Sequence, residues 1–363
     1  MALLIDILRN PQATLQLDEA AWDLLIRQAR HANLLGRLHH ELAQRQLLAP
    51  ALERARHHML SAATMAERQH LSVRHEARLL RDTLAGLGLP LILLKGAAYV
   101  VSGLPAERGR VFADLDILVP KARLQEVESA LMLQGWVGSP LDDYDQRYYR
   151  QWMHELPAME HMRRGTALDV HHSILPPTSR LHPDPAALLA ASVELPGWPG
   201  VCTLSPCDMV LHSATHLFHE GEPDNLLRDL SDLDLLLRHF GSDPSFWPTL
   251  VERAEQLQLS LPLRLALRYA SEILATPVPR ATLDAIGAAH SRRPGQKVLD
   301  FVYRRMLAPK HSSAADWATP WCQRLLYVRS HWLRMPPHLL AYHLAHKALW
   351  PSREPAVEGE QPR

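Results

Sequence analysis

The stretch Asp114-Leu-Asp116-Ile-Leu-Val119 decides how this chain folds. Successive side chains on a strand point to opposite faces, so Asp114 and Asp116 project together while Leu115 and Ile117 face a core. Two carboxylates side by side repel one another and raise each other's pKa. A divalent cation removes that conflict, and hard oxygen donors suit Mg²⁺. The plain alternative is a pair of solvated acids at a strand edge, because Asp-x-Asp alone is a common accident of sequence.

The chain supplies its own control. Asp232-Leu-Asp234-Leu-Leu-Leu237 is nearly the same string, yet Leu226, Leu230, Leu233 and Leu237 around it follow a helical period. Residues two apart on a helix diverge by about 200° around its axis, so these two carboxylates do not converge on one ion. The second copy reads as helix and the first as the candidate site.

Outward from Asp114, the third acid is Asp169, in Thr166-Ala-Leu-Asp169-Val-His171-His172-Ser-Ile174. Leu156–Met162 and Thr166–Ile174 flank Arg163-Arg164-Gly165, which predicts a hairpin with Gly in its turn. Alternation puts Asp169 and His171 on one face, with Leu168 and Val170 on the other. Laid beside the Asp114 strand, that hairpin strand brings Asp169 to the same metals. Two ions ~3.5–4 Å apart can then clamp the attacking and leaving oxygens of an in-line displacement. Upstream, Leu91-Ile-Leu-Leu94 reads as a short buried strand, followed by Lys95-Gly96 and a helix over Ala97–Val101. Gly96 lets a phosphate approach the backbone, the helix start favours an anion, and Lys95 offers charge. The P-loop spacing is missing. Arg108 and Arg110 are further candidates for phosphate oxygens.

Taken in order, these motifs carry a resemblance. Leu94-Lys95-Gly96-Ala-Ala, then Arg110-x3-Asp114-Leu-Asp116-Ile-Leu-Val, then Leu168-Asp169-Val-His171 resembles the bacterial uncharacterised nucleotidyltransferase family of the DNA polymerase β superfamily. His212-x3-His216 and Leu227-Arg228-Asp229-Leu-x-Asp232-Leu are similar to that family's downstream helical segment. The resemblance spans roughly residues 85 to 240. It implies an α+β, polymerase-β-like core of small mixed sheet and helices, and transfer of a nucleoside monophosphate from an NTP with release of pyrophosphate. It implies that Asp114 and Asp116 bind two Mg²⁺ ions (Mn²⁺ as the substitute). Asp169 would complete the nucleophile-side ion and help deprotonate the acceptor. Gly96 matches the glycine of the family's first motif, and Lys95, Arg110 and His171 are nucleotide-side candidates. The superfamily's usual Gly-Ser is Gly96-Ala97 here, which removes one hydroxyl from the phosphate grip.

Composition bounds the partners. The 363 residues are 47% hydrophobic, enough for a sizeable core, and Lys+Arg and Asp+Glu both number 39. Zero net charge disfavours a dedicated nucleic-acid binder, and makes long RNA the least favoured acceptor. A protein side chain, a small metabolite or sugar, or a peptide product stands ahead of it. Three cysteines at irregular spacing suggest reduced thiols in a cytoplasmic protein rather than a disulfide framework. The N-terminus lacks a basic region before its short apolar run, and no uncharged stretch approaches the ~20 residues needed to span a bilayer, so no membrane association is expected.

The layout is helical over 1–88, a nucleotidyltransferase core over 89–205, helical again over 206–350, and a Pro- and Glu-rich disordered tail over 351–363. Within it the residue pattern predicts a strand over Val111–Val119 and helices over 122–134, Asp208–His219, Leu226–Phe240, Ser245–Leu257 and Pro262–Ala275. Two rival functions remain. His212, His216 and His219 fall at i, i+4 and i+7, a face able to hold zinc in a hydrolase, although His-Glu-x-x-His is absent. The leucine-rich helical flanks alternatively suit a non-catalytic nucleotide-binding scaffold.

Overall fold

A computed structural model of the protein describes residues 2–139, 143–220, 225–287 and 295–341; the tail from 351 lies outside them. Strands β1 (Leu91–Leu93), β2 (Asp114–Leu118), β3 (Trp136–Gly138), β4 (Met159–His161), β5 (Ala167–His171), β6 (Val193–Glu194) and β7 (Val201–Thr203) form one sheet, ordered β3-β4-β5-β2-β1-β7-β6. The sheet is mixed. β2 runs parallel to β5 and antiparallel to β1, while β1 runs parallel to β7. β4 and β5 form the expected hairpin, with Gly165 at φ +62° in its turn. The α+β core with helical flanks is as the sequence led one to expect.

Four helices precede the sheet: α1 (Leu3–Arg9), α2 (Glu19–His31), α3 (Leu35–Gln44) and α4 (Glu53–Ala85). Asp18 starts α2 by accepting a hydrogen bond from the Ala21 N–H. The 33-residue α4 is about 50 Å long and joins two interiors. Its first turns carry Ala55 and Met59 into a cluster with Leu25, Leu38 and Leu42. Its last turns carry Val73, Ala77, Leu80 and Leu84 onto the sheet. Between the strands along the chain come α5 (Lys95–Ser102), α6 (Leu124–Leu133), α7 (Asp143–Trp152) and α8 (Pro185–Ala190). Beyond the sheet come α9 (Pro206–Thr215), α10 (Leu226–Phe240), α11 (Phe246–Gln256), α12 (Ser260–Leu274), α13 (Arg280–Ala285), α14 (Gln296–Met306) and α15 (Thr319–Arg334). Leu211, Leu230, Leu263 and Tyr303 from this group share the interior of the sheet. No helix among the described residues is long and apolar enough to cross a membrane.

Three local expectations need correction. The strand expected from Val111 begins only at Asp114. The Gln69 side chain of α4 takes the backbone of Phe112 instead, accepting from its N–H at 2.8 Å and donating to its carbonyl at 3.2 Å. The helix expected from Ala97 starts at Lys95, whose φ of +44° makes the corner between β1 and α5. The helix expected over Asp208–His219 is α-helical only to Thr215, and His216–Glu220 form a π-turn.

Candidate active site

The register of β2 on β5 pairs Asp114 with Ala167 and Asp116 with Asp169. Leu115, Ile117, Leu168 and Val170 are buried on the opposite face, which fixes the acids on the other. Asp114, Asp116 and Asp169 thus line a single cavity of about 210 Å³. Asp116 is 3% exposed, and its Oδ1 accepts from Lys95 Nζ at 2.9 Å and from His171 Nε2 at 2.9 Å. The corner before α5 is tied to the same strand, because Leu94 N–H donates to the Asp116 carbonyl at 2.9 Å.

The three carboxyls are electrostatically unequal. Burial opposes the Asp116 charge, but Lys95 and the His171 hydrogen bond outweigh it and hold this carboxyl well below its usual range. Burial and the neighbouring Asp116 push Asp114 up. Burial, Asp116, Glu155 and Asp114 together push Asp169 up to about 7. Two carboxylates that resist ionising beside a third that is ionised are a donor set waiting for positive charge. Asp116, Asp169 and His171 offer ligand atoms within 4.8 Å of one another. The oxygen-rich set fits a hard divalent cation.

Lys95, Gly96 and Arg110 line the same cavity, each with a neighbour that the sequence does not announce. Arg110 donates from Nε to Asp232 at 2.8 Å, and Asp232 also pairs with Arg37 of α3 at 2.7 Å. A Cβ on Gly96 would lie 2.1 Å from the Arg110 guanidinium and 2.1 Å from the Phe112 ring. The missing side chain is thus filled by Arg110 and Phe112. Asp232 and Asp234 do lie on a helix and separate. Asp232 faces the arginines, while Asp234 accepts from Arg238 at 2.7 Å and from Thr276 at 2.6 Å.

The structure adds groups that sequence reasoning missed. His154 and Glu155 reach the cavity from the segment after α7, and Arg228 and Asp229 from α10. Arg334, at the end of α15, joins them from far along the chain. Nothing in the spacing marks His154 or Glu155, because an isolated bridge between Glu155 and His171 delivers them. His212, His216 and His219, by contrast, part company. His216 Nδ1 lies 3.7 Å from Asp229, His219 Nε2 lies 3.1 Å from Ser179 Oγ, and burial pushes His212 well below the usual histidine range. Among the described residues, no metal-capable cluster contains any of the three.

No curated protein and no solved structure matches the chain. A family model described as "uncharacterised nucleotidyltransferase" matches residues 18–275, from the first turns of α2 through the sheet to the end of α12. With that match covering most of its length, the chain belongs to the uncharacterised nucleotidyltransferase family.

Proposed function

We propose that the protein transfers a nucleoside monophosphate from an NTP to an acceptor hydroxyl or phosphate, with Asp114, Asp116 and Asp169 holding two Mg²⁺ ions. The observation that carries this reading is the β2–β5 register, which sets Asp116 beside Asp169 on the face already occupied by Asp114. In the transfer, the acceptor oxygen bonds to the α-phosphorus. The bond from that phosphorus to the β-phosphate oxygen breaks, and pyrophosphate leaves with the electron pair. Divalent ions in this oxygen-rich site would supply charge neutralisation at the phosphates and activation of the acceptor oxygen.

The chain's own groups do the rest. Asp169, on the acceptor side of the site, accepts the proton of an acceptor hydroxyl. Lys95 and Arg110 present positive charge to the triphosphate from the cavity wall, and the first amides of α5 add a partial one. His171 fixes the orientation of Asp116. Gly96 keeps Arg110 against the corner of α5. The rate would come from positioning and charge rather than from a covalent enzyme intermediate.

The test pairs wild type with Asp114→Asn/Asp116→Asn. Each is incubated with every α-³²P-labelled NTP, ATP included, with Mg²⁺ and an extract of the host cell. Label entering protein, RNA or small molecules only with wild type and only with divalent metal supports the reading and sorts the acceptor. Equal labelling by the double variant would remove it.

A further inference from the structure

We propose that His154, Glu155 and His171 form a second metal site, for one borderline cation of the Zn²⁺ class, distinct from the carboxylate site for Mg²⁺. The three offer one ligand atom each, all within 4.8 Å of one another, and His154 and His171 are buried. The inference does not rest on nucleotidyl transfer, since it concerns which atoms meet and what they can bind.

The hydrogen-bond pattern of His171 is the starting point. Its Nε2 lies 2.9 Å from Asp116 Oδ1. An ionised carboxylate only accepts, so Nε2 donates to Asp116 and Nδ1 is the ring atom turned towards Glu155. That Nδ1 is buried without a hydrogen bond and lies 3.3 Å from Glu155 Oε2. Positive charge stands between this nitrogen and the carboxylate oxygen, either as a proton or as a cation. His154 Nε2 stands 3.9 Å from the same Glu155 oxygen.

These spacings suit an ion. A tetrahedral cation with bonds of about 2.0–2.1 Å separates its ligand atoms by about 3.4 Å. The pairs at 3.3 and 3.9 Å bracket that edge. Two imidazoles and one carboxylate are a donor set for Zn²⁺ or Co²⁺, whereas Mg²⁺ prefers oxygen alone. The Asp116–His171 hydrogen bond supplies the outer partner that metal-bound histidines use to fix their tautomer. The frame is held by backbone, through the Glu155–His171 bridge and the His172 N–H donating to the His154 carbonyl at 2.8 Å. His154 and Glu155 also line the main cavity, so an ion can enter from it.

The experiment uses the full chain, stripped with chelator and then titrated with Co²⁺ in the presence of millimolar Mg²⁺. Wild type is expected to retain one equivalent of Co²⁺, with the strong visible band of low-coordinate cobalt. The Asp114→Asn/Asp169→Asn variant should retain that band, and His154→Ala should lose it. Zn²⁺ should displace the cobalt at one equivalent, and His154→Ala should weaken Zn²⁺ by more than about 100-fold. Glu155→Gln, judged folded by circular dichroism, provides the same test if His154→Ala misfolds. No Co²⁺ retained over Mg²⁺, or a band unchanged in His154→Ala and Glu155→Gln, overturns the proposal and leaves a proton as the charge between His171 and Glu155.

Discussion

Asp169 couples the proposed chemistry to pH. Folded, it titrates at about 7 against an ordinary value of 3.8. The folded state therefore holds an extra proton between those values. The metal-free protein is expected to lose stability as pH rises through that window and to change little from this group above it. Mg²⁺ bound at the proposed site would compete with the same proton. Thermal-shift titrations should show greater stabilisation by Mg²⁺ at pH 8 than at pH 6, and Asp169→Asn should abolish the difference. Equal shifts at both pH values would dissociate Asp169 from the metal. At Asp116 the expectation is kinetic. Asp116→Asn keeps the shape but loses the charge that Lys95 and His171 face, and label transfer should fall by about 100-fold or more while the fold persists.

Elements decided what could be read in advance. The two Asp-x-Asp strings were separable because each repeats its local period for several residues, as β2 and as α10. The hairpin was legible from Gly165 and its flanks. What escaped had no local signature. The true start of β2 depends on Gln69, in α4, and Glu155 depends on a bridge to β5. The histidine face failed for a different reason. Spacing of i, i+4 and i+7 assumes an unbroken α-helix, and the π-turn at His216–Glu220 breaks it. The junction of β1 and α5 gives a test at this scale. Gly96→Ala drives a methyl into Arg110 and Phe112, and should cost about 1–3 kcal/mol in denaturant unfolding. A loss under about 0.5 kcal/mol would mean the corner yields easily.

Across the whole molecule, a buried ion group stitches the N-terminal helices to the site. Arg37 of α3 and Arg110 above β2 share Asp232 of α10, and all three are less than 9% exposed. Removing the shared acid takes away the carboxylate that both buried guanidiniums pair with, although Asp229 still acts on Arg110. Asp232→Ala is expected to destabilise by about 3–5 kcal/mol. Asp234→Ala, which removes a side chain 15% exposed and paired with an exposed Arg238, should cost less, which equilibrium unfolding of both variants checks. Equal losses would mean that Asp232 is no special keystone.

The pairing of β2 with β5 also carries a consequence in time. His171 and Asp116 are 55 residues apart in the chain, and the strands that hold them run parallel. The β4–β5 hairpin and the helix α4 can form from neighbours, but this pairing must wait for a long loop to close. The carboxylate face is therefore assembled late, after much of the secondary structure exists. A chain caught partway through refolding would be rich in helix and yet blind to Mg²⁺.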